Sequence, residues 1–282
     1  MQQVITLIAA PGAESALRGC VAALGGTADW LAPGACDISG ASEEAARVAI
    51  VGEPIDIVAQ PVAGRRKKLL VADLESTIIE NEMLEELADF LGLRVHVAEI
   101  TRRAMNGEID FVAALTERVA LLRGLSENVL HDAASRIRIM PGARPLIATL
   151  RRAGVTTALV SGGFTVFAER IAADLGFDRV VANRLDIADG KLAGTVSPPI
   201  VTAATKHDTL VVLAKELGIG LEATLAVGDG ANDLPMLQAA GFGVAFRAKP
   251  AVATAARWRI DHADLTALLY AQGYRQEEIV AT

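Results

Sequence analysis

The chain contains little cysteine and few aromatic side chains. Only two cysteines, Cys20 and Cys36, occur among its 282 residues. Two cysteines in a chain of this length make no disulfide framework, and their spacing matches no metal-binding pattern. We therefore expect both to be reduced core residues of a cytoplasmic protein. Aromatic residues make up only 4% of a composition that is 52% hydrophobic, which suits aliphatic helices packed on a sheet.

Two further absences exclude classes of function. The chain has no basic excess, since its net charge is −7, and this argues against non-specific nucleic-acid binding. It also lacks the roughly 20 uninterrupted apolar residues that a membrane span needs. The short apolar run at the N-terminus has no basic leader and no cleavage site, so it does not indicate a signal peptide. We expect a soluble protein with neither a nucleic-acid nor a membrane partner.

Residues 1–64 are predicted to form a small α+β domain without catalytic residues. Its clearest elements are strands at 4–9 and 55–60 and a helix at 14–23. In size and element order it resembles a small amino-acid-binding regulatory module of the ACT type. A structural role, or a role in forming a homodimer, is an equal alternative. Residues 65–68, Arg-Arg-Lys-Lys, follow a Pro/Gly turn that marks the boundary, and we interpret them as a solvated charged run.

Residues 65–282 are predicted to form an α/β domain. The run Leu-Leu-Val-Ala at 69–72 is typical of a parallel strand buried on both faces. Further strands and a hairpin are predicted at 156–160, 180–182, 189–190 and 225–227. Alternation of strand and helix predicts a doubly wound parallel sheet with right-handed crossovers. Four helical stretches, broken at Gly92, Gly107 and Gly124, interrupt this pattern at about 80–139, and we interpret them as an inserted helical cap.

Polar residues follow the predicted strands at the positions where such sheets bind ligands. In open α/β sheets this is the crevice beyond the carboxyl ends of the strands. Asp73 follows the first strand, Ser161 and Gly162 follow the second, and Asp229 follows the last, while Lys206 opens the helix after the hairpin. One such residue would be an ordinary helix cap. Four positions in one sheet predict a site for phosphate and a divalent cation.

The residue types at these positions suit phosphoryl transfer. The Asp73 carboxylate is a candidate nucleophile that would form an acyl phosphate. Asp73 and Asp229 would hold Mg²⁺, which prefers hard oxygen ligands and offsets the repulsion between an anionic nucleophile and a phosphate. Ser161 and the Gly162 amide, at a helix N-terminus, would bind phosphate oxygens. Lys206 would supply positive charge in the transition state.

Together these segments resemble the four motifs of the haloacid dehalogenase superfamily. The motifs are Asp-Leu-Glu-Ser-Thr at 73–77, Ser-Gly-Gly-Phe-Thr at 161–165, Lys206, and Gly-Asp-Gly-Ala-Asn-Asp at 228–233. Within that superfamily the cap and several neighbouring segments resemble phosphoserine phosphatases. These segments are Ala-Met-Asn-Gly at 104–107, Met-Pro-Gly at 140–142, Val-Ala-Asn at 181–183 and the run at 227–237. The resemblance covers about residues 67–270.

The resemblance implies a specific reaction and a specific set of residues. The reaction is hydrolysis of O-phosphoserine to serine and phosphate through an aspartyl-phosphate on Asp73, which is the last step of serine biosynthesis. Mg²⁺ would be held by Asp73, the backbone carbonyl of Glu75, Asp229 and, in support, Asp233. Phosphate would be bound by Ser161, Gly162, Lys206 and Asn232. The substrate's ammonium and carboxylate would meet Glu82 and Arg118, with Met105 and Phe111 as an apolar wall.

Glu75 departs from the family pattern, which has Asp two residues after the nucleophile as the general acid and base. The reference pKa values of the two acids differ by only about 0.4. The extra methylene, however, moves the carboxyl group by roughly the 1 Å that can cost on the order of 10²-fold in rate. Three interpretations remain open: a site adapted to Glu75, a slowed enzyme, or an engineered change.

Less specific interpretations stand beside these. A phosphatase of another small phosphomonoester would not need both Glu82 and Arg118. A catalytically impaired sensor of phosphoserine or serine would explain Glu75. Taken singly, Glu82 could serve only as the acid at a helix start, and Arg118 would belong to a solvated helix face. Asp233 could cap the following helix, and Met105 and Phe111 would be ordinary core residues by default.

Overall fold

A computed structural model of the chain describes residues 3–106 and 108–281, and for Met105 it describes only the backbone. The first part is a four-stranded antiparallel sheet with two helices, in the element order β-α-β-β-α-β. The elements are β1 (Gln3–Ala9), α1 (Glu14–Leu24), β2 (Thr27–Ala32), β3 (Ala35–Ser39), α2 (Glu43–Ala49) and β4 (Ile55–Pro61), with strand order β2-β3-β1-β4. The predicted strands at 4–9 and 55–60 and the helix at 14–23 are confirmed. The likeness of this unit to a regulatory module stays a prediction.

A seven-stranded sheet follows. Its strands are β5 (Leu69–Ala72), β6 (Thr156–Phe164), β7 (Arg179–Ala188), β8 (Lys191–Ser197), β9 (Thr224–Gly228), β10 (Phe242–Phe246) and β11 (Trp258–Ile260). The order is β11-β10-β9-β5-β6-β7-β8, and every neighbouring pair is parallel except the β7–β8 hairpin. This confirms the predicted parallel sheet and hairpin.

Helices cover both faces of this sheet. The remaining helices are α3 (Met83–Asp89), α4 (Arg94–Met105), α5 (Phe111–Ala120), α6 (Asn128–Ser135), α7 (Ala143–Arg152), α8 (Thr165–Leu175), α9 (Ala203–Glu216), α10 (Leu234–Ala239), α11 (Pro250–Ala255) and α12 (Ala267–Ala271). Leu70 of β5 packs in the core that contains α7 and α8, whereas Leu69 and Val71 pack in the core that contains α9 and α10. Side chains of a strand alternate between its faces, so the central strand is buried on both sides and the sheet is doubly wound.

The four helices α3 to α6 form the block inserted between β5 and β6, as predicted. Gly92 and Gly124 end helical stretches with positive φ angles of 69° and 87°, a conformation that glycine adopts readily. The break predicted at Gly107 lies outside the described residues. One predicted boundary was wrong: α9 begins at Ala203 after its Thr202 cap, so Lys206 lies in its first turn.

The basic run at 65–68 is solvated only in part: Arg66 and Lys68 are exposed, as interpreted, whereas Arg65 is half-buried and Lys67 is buried. Arg65 forms an ion pair of 2.6 Å with Asp37 of β3. Lys67 is only 8% exposed, and its Nζ donates to the backbone carbonyls of Gly64 and Glu222 at 2.8 Å each. The reason is that the run passes between the two sheets, where carboxylate and carbonyl oxygens are at hand. These contacts join the N-terminal unit to the larger one.

The N-terminal sheet lies along β11, the edge strand of the larger sheet. The indole Nε1 of Trp258 donates to the Ala59 carbonyl of β4 at 2.9 Å. The buried Asp56 carboxylate accepts backbone N–H groups of residues 261 to 263. Trp258 also meets Phe242 edge-to-face, with ring centroids 5.3 Å apart. In the part of the chain that is described, helices are too short or too polar to cross a bilayer.

Candidate active site

Three buried carboxylates converge at the carboxyl edge of the larger sheet. The Asp73 N–H donates to the Val227 carbonyl at 3.0 Å, which continues the pairing of β5 with β9 and sets Asp73 beside Asp229. Asp233 follows on the turn after β9. One oxygen from each of Asp73, Asp229 and Asp233 lies within 4.8 Å of the others. The residues predicted to bind the metal are thus brought together.

Lys206 lies fully buried beneath two of these carboxylates. Its Nζ donates to Asp73 and, at 2.7 Å, to Oδ1 of Asp233. Burial alone would lower the pKa of Lys206, but the carboxylates of Asp233 and Asp73 outweigh it and raise that pKa. The lysine is therefore charged and neutralises part of the acidic cluster.

Asp233 both shapes the turn and faces the cluster. Its Oδ2 accepts the backbone N–H groups of Asp229 and Gly230 at 3.1 and 3.0 Å. The alternative that Asp233 merely caps the following helix was wrong, because its side chain makes no capping bond to α10 and turns back to the preceding backbone instead. By holding two backbone amides, Asp233 orients the segment that carries Asp229.

Lys249 is a neighbour of the site that sequence reasoning missed. Its Nζ forms an ion pair with Oδ2 of Asp229 at 3.2 Å, and its backbone N–H donates to the Asp229 carbonyl at 3.0 Å. Burial raises the pKa of Asp229 to about 7, with Lys249 opposing that rise. Lys249 follows the carboxyl end of β10, the end of a strand at which such sheets bind ligands. The reasoning that identified Asp229 would therefore have identified Lys249 if β10 had been predicted from the sequence.

The buried oxygens at this edge suit a divalent cation. Oδ2 of Asp229 and Oδ1 of Asn232 are buried and have no hydrogen-bond partner among the described residues. Buried polar atoms are nearly always satisfied, so such atoms call for a ligand, an ion or water. Carboxylate and amide oxygens are ligands that Mg²⁺ prefers. The residues present therefore fit a metal ion.

The last residues of β6, Ser161 to Phe164, form an irregular loop where the pairing with β7 is interrupted, and this loop makes the second side of the site. Ser161 is 1% exposed, and its Oγ accepts the Gly163 N–H at 2.8 Å. The Gly162 carbonyl accepts Nδ2 of Asn183 at 2.7 Å. The helix α8 begins directly after this loop, at Thr165. Ser161 and Gly162 thus lie within the irregular end of β6 on the side of Asp73, and not after the strand as predicted.

The cap closes directly onto this loop. Asp110 caps α5 by accepting the Ala113 N–H at 2.8 Å, and Phe111 is the first residue of the helix. The ring of Phe111 lies so close that a β-carbon on Gly162 would be 2.7 Å from its Cζ. Phe111 is therefore part of the site wall. The side chain of Met105, predicted as the second half of that wall, lies outside what the structure describes.

Glu82 and Arg118 also lie in the site. Glu82 is the residue before α3, and its Oε1 accepts the Ser76 hydroxyl at 2.6 Å. Arg118 is only 4% exposed, so the alternative of a solvated helix face was wrong. Its Nε donates to the Ala114 carbonyl at 3.0 Å and its Nη1 to the Thr101 hydroxyl at 2.7 Å. These bonds hold the guanidinium in the cap.

Glu75 occupies space that a glycine leaves open. Its Oε1 accepts the Met83 N–H at 2.9 Å. A β-carbon on Gly163 would come within 2.9 Å of the Glu75 carboxyl atoms, so only glycine leaves room there. Burial raises the pKa of Glu75 to about 8, and the negative charge of Glu82 adds to the rise. The longer side chain is thus accommodated by its surroundings.

These groups surround one cavity of about 30 Å³ between the sheet and the cap. Its lining consists of Asp73, Glu75, Glu82, Leu84, Phe111, Leu115, Arg118, Gly162, Gly163, Phe164, Asp229 and Asn232. Ser161, Lys206 and Asp233 lie beneath this lining rather than in it. Every predicted site residue whose side chain the structure describes is thus in or directly under the cavity.

Comparison with known proteins agrees with this geometry. A phosphoserine phosphatase of Streptomyces coelicolor is 43% identical over 250 residues, which are 86% of this chain and 61% of that protein. The chain thus spans about three fifths of the length of that relative. A solved structure of a HAD family hydrolase from Salmonella enterica serovar Typhi superposes with a TM-score of 0.83 at 29% identity, covering 96% of this chain and 98% of the other.

A solved structure of phosphoserine phosphatase with an analogue of the phospho-aspartyl intermediate has a TM-score of 0.70 at 39% identity. It covers 75% of this chain and 100% of the other. The family model of haloacid dehalogenase-like hydrolases matches residues 70–238, which contain all four motifs and the cap. The chain belongs to the haloacid dehalogenase-like hydrolase family.

Proposed function

We propose that this protein is a Mg²⁺-dependent phosphoserine phosphatase that hydrolyses O-phosphoserine to serine and phosphate. The observation that carries the proposal is a single cavity lined by two kinds of group. Asp73 lies in it over the buried Lys206, and an acid and a base of the cap, Glu82 and Arg118, line the same cavity. The name of the Streptomyces coelicolor relative and that of the solved phospho-aspartyl analogue structure support the same substrate.

Asp73 is the proposed nucleophile. Its carboxylate oxygen forms a bond to phosphorus, the bond from phosphorus to the serine oxygen breaks, and an acyl phosphate results. Lys206 lies against Asp73 and partly cancels its charge, which lowers the repulsion from the incoming phosphate. Water then attacks the acyl phosphate, which releases phosphate and restores Asp73.

Glu75 is the proposed general acid and base. It donates a proton to the serine oxygen as that group leaves, and it takes a proton from the water that attacks the acyl phosphate. The Met83 N–H fixes one of its oxygens, and the absence of a side chain on Gly163 leaves space for its carboxyl. This arrangement supports adaptation to Glu75 over an impaired sensor.

The metal would be held by Asp73, the backbone carbonyl of Glu75 and Asp229, with Asp233 in support. Bound there, Mg²⁺ would supply charge neutralisation for the phosphate and the nucleophile. Asp233 acts by holding the backbone around Asp229, and Lys249 acts by holding the Asp229 side chain. The buried triad and the unsatisfied oxygen of Asp229 support this assignment.

The phosphate oxygens would be bound by Ser161, Gly162, Lys206 and Asn232. The Ser161 oxygen already accepts the Gly163 N–H, so its own hydroxyl proton is free to point at the substrate. Lys206 adds a fixed positive charge against Asp73.

The serine head group would be recognised by the cap. Glu82 would accept the ammonium group and Arg118 would donate to the carboxylate. A guanidinium has five N–H donors, and the described contacts of Arg118 use Nε and Nη1 only. Phe111, with Met105, would cover the apolar part of the substrate and exclude water. A phosphomonoester without an amino-acid head group would leave the buried Arg118 and the half-buried Glu82 without an oppositely charged partner on the substrate.

The test is phosphate release from O-phosphoserine with and without Mg²⁺, with Asp73→Asn as the inactive control. O-phosphoethanolamine, which lacks the carboxylate, and 3-phosphoglycerate, which lacks the ammonium group, serve as competitors. We expect Mg²⁺-dependent release from phosphoserine and kcat/KM values at least roughly 10-fold lower for both competitors, since each lost charge-assisted bond costs about 1.5 kcal/mol or more. Equal rates on all three compounds would mean that the substrate is another phosphomonoester. Binding of phosphoserine without turnover would assign a sensor. Cytoplasmic location and a homodimer stay predictions.

A further inference from the structure

We infer that Asn183 is a positioning residue that sets the distance between the two phosphate-binding groups Ser161 and Lys206. Asn183 lies on β7, opposite Phe164 of β6, and is 1% exposed. It is absent from the cavity lining and has no titratable group. The inference rests on the proposed function in one respect, since it takes Ser161 and Lys206 to bind phosphate.

The first contact of Asn183 fixes the irregular end of β6. Its Nδ2 donates to the Gly162 carbonyl at 2.7 Å. The next N–H along the chain, that of Gly163, donates to Oγ of Ser161 at 2.8 Å. Because a peptide unit is planar, these two bonds hold the Gly162–Gly163 peptide at both of its ends. Asn183 thereby holds the amide that turns the Ser161 hydroxyl proton toward the site.

The second contact fixes the start of α9. The Val201 N–H donates to Oδ1 of Asn183 at 2.8 Å. Thr202, the next residue, caps α9 by accepting the Thr205 N–H. Lys206 follows in the first turn of that helix and is fully buried. The position of the lysine ammonium therefore depends on where Asn183 anchors the segment before the helix.

Asparagine is suited to this double role because its amide is both a donor and an acceptor. Aspartate has nearly the same shape but only accepts at neutral pH. In Asn183→Asp the bond from Val201 survives, while the bond to Gly162 becomes a contact between two oxygens. The substitution therefore releases the Ser161 loop and leaves the anchor of α9 in place.

Gln272 provides a matched control far from the phosphate. Its side chain is also fully buried, its Nε2 donates to the Leu268 carbonyl at 2.8 Å, and its Oε1 accepts the Lys67 N–H at 2.9 Å. Lys67 precedes β5, at the end of that strand opposite Asp73. Gln272→Glu therefore removes a hydrogen bond from a buried side-chain amide to a backbone carbonyl, as Asn183→Asp does. It does so at a position away from the site.

The experiment measures inorganic phosphate binding by calorimetry in Mg²⁺ buffer, together with kcat and KM on p-nitrophenyl phosphate and the melting temperature. We expect both variants to lose stability. Only Asn183→Asp should bind phosphate roughly 10-fold or more weakly, since the loss of a hydrogen bond to a charged group costs about a factor of 10 or more. Asn183→Ser, which adds no charge that could itself repel phosphate, is measured beside it and should weaken phosphate binding as well.

Phosphate affinity in folded Asn183→Asp equal to that of Gln272→Glu would overturn the inference and leave Asn183 a purely structural residue. Failure of the proposed function has a different signature. In that case the unaltered protein binds phosphate and hydrolyses p-nitrophenyl phosphate but does not release phosphate from phosphoserine, and the comparison of Asn183→Asp with Gln272→Glu still decides the role of Asn183.

Discussion

Adding one methyl group to Gly162 should prevent the cap from closing fully. The new β-carbon would lie 2.7 Å from Cζ of Phe111, whereas ordinary van der Waals contacts begin at 3.4 Å. The ring must therefore retreat by 3.4 − 2.7 = 0.7 Å, either by rotating about its own side-chain bonds or by carrying the start of α5 with it. Gly162 is not among the glycines with positive φ, so alanine fits the backbone itself. The expected defect is confined to cap closure.

The displacement should lower kcat/KM on O-phosphoserine by roughly 10- to 100-fold, because an error near 1 Å in positioning can cost on the order of 10²-fold. Arg118 lies two turns further along α5 and would move with the start of that helix. The control is Gly19→Ala in α1, where the added β-carbon meets no atom within 4 Å. That variant should keep full activity and gain roughly 0.5–1 kcal/mol of stability from the better helix former.

Shortening the opposing side chain should relieve the defect. Phe111→Leu removes the ring atom that clashes, so the double variant Gly162→Ala/Phe111→Leu should be far more active than the product of the two single effects predicts. Steady-state kinetics with Mg²⁺ on all four proteins of the cycle provide the measurement. Wild-type kcat/KM in Gly162→Ala, or strictly multiplicative effects in the double variant, would refute the closed-cap geometry.

Three further predictions follow from the site and the cap. Glu75→Asp, despite matching the family pattern, should lower kcat by roughly 10-fold or more, because the shorter side chain loses its hydrogen bond from the Met83 N–H and its carboxyl group shifts by about 1 Å. A phosphate-release assay in which Glu75→Asp is faster than the unaltered protein would show that the site has not adapted to Glu75. Arg118→Lys should raise KM for phosphoserine by roughly 10-fold or more and leave p-nitrophenyl phosphate hydrolysis within about 2-fold, since a bidentate carboxylate contact is lost; equal effects on both substrates would contradict a head-group role. Burial alone would raise the pKa of Glu86, but hydrogen bonds, above all the one from Arg94, outweigh burial and lower this pKa. The ionised Glu86 therefore stabilises the folded protein at any pH above its unfolded pKa of about 4.3. This stabilisation is lost as the pH falls through the lower pKa that Glu86 has in the folded protein. Glu86→Gln should accordingly melt a few degrees lower at pH 7, with the difference closing below about pH 4 in scanning calorimetry; a difference independent of pH would contradict the ion pair.

The sequence was sufficient to predict the sheet and the phosphate-facing edge because the signals there are local. A four-residue apolar run followed directly by Asp73 marks the end of a buried strand, and a three-residue apolar run and one glycine precede Asp229. The carboxyl ends of parallel strands meet at one edge, so two residues 156 positions apart could be expected to meet. The position of Lys206 was predicted as well, although the helix that carries it begins three residues earlier.

Contacts that depend on distant partners could not be read from the sequence in this way. Asn183 resembles any asparagine in a strand until the Gly162 carbonyl and the Val201 N–H are found on either side of it. Arg118 has the neighbours of a solvated helix face, and its burial results from the packing of another cap helix, whose Thr101 accepts its N–H. Lys67 likewise meets Glu222, which lies 155 residues further along the chain.

The contact between β4 and β11 has a consequence for solubility. An edge strand carries unpaired backbone groups that can pair with another chain and start aggregation. In this protein the N-terminal sheet covers that edge, and the indole of Trp258 donates its proton to Ala59. A shortened chain beginning after Gly64 would keep every residue of the active site, yet it would expose Trp258 and the side of β11 together. We expect such a chain to self-associate as its concentration rises, so the N-terminal sheet acts as a shield against aggregation whatever else it binds.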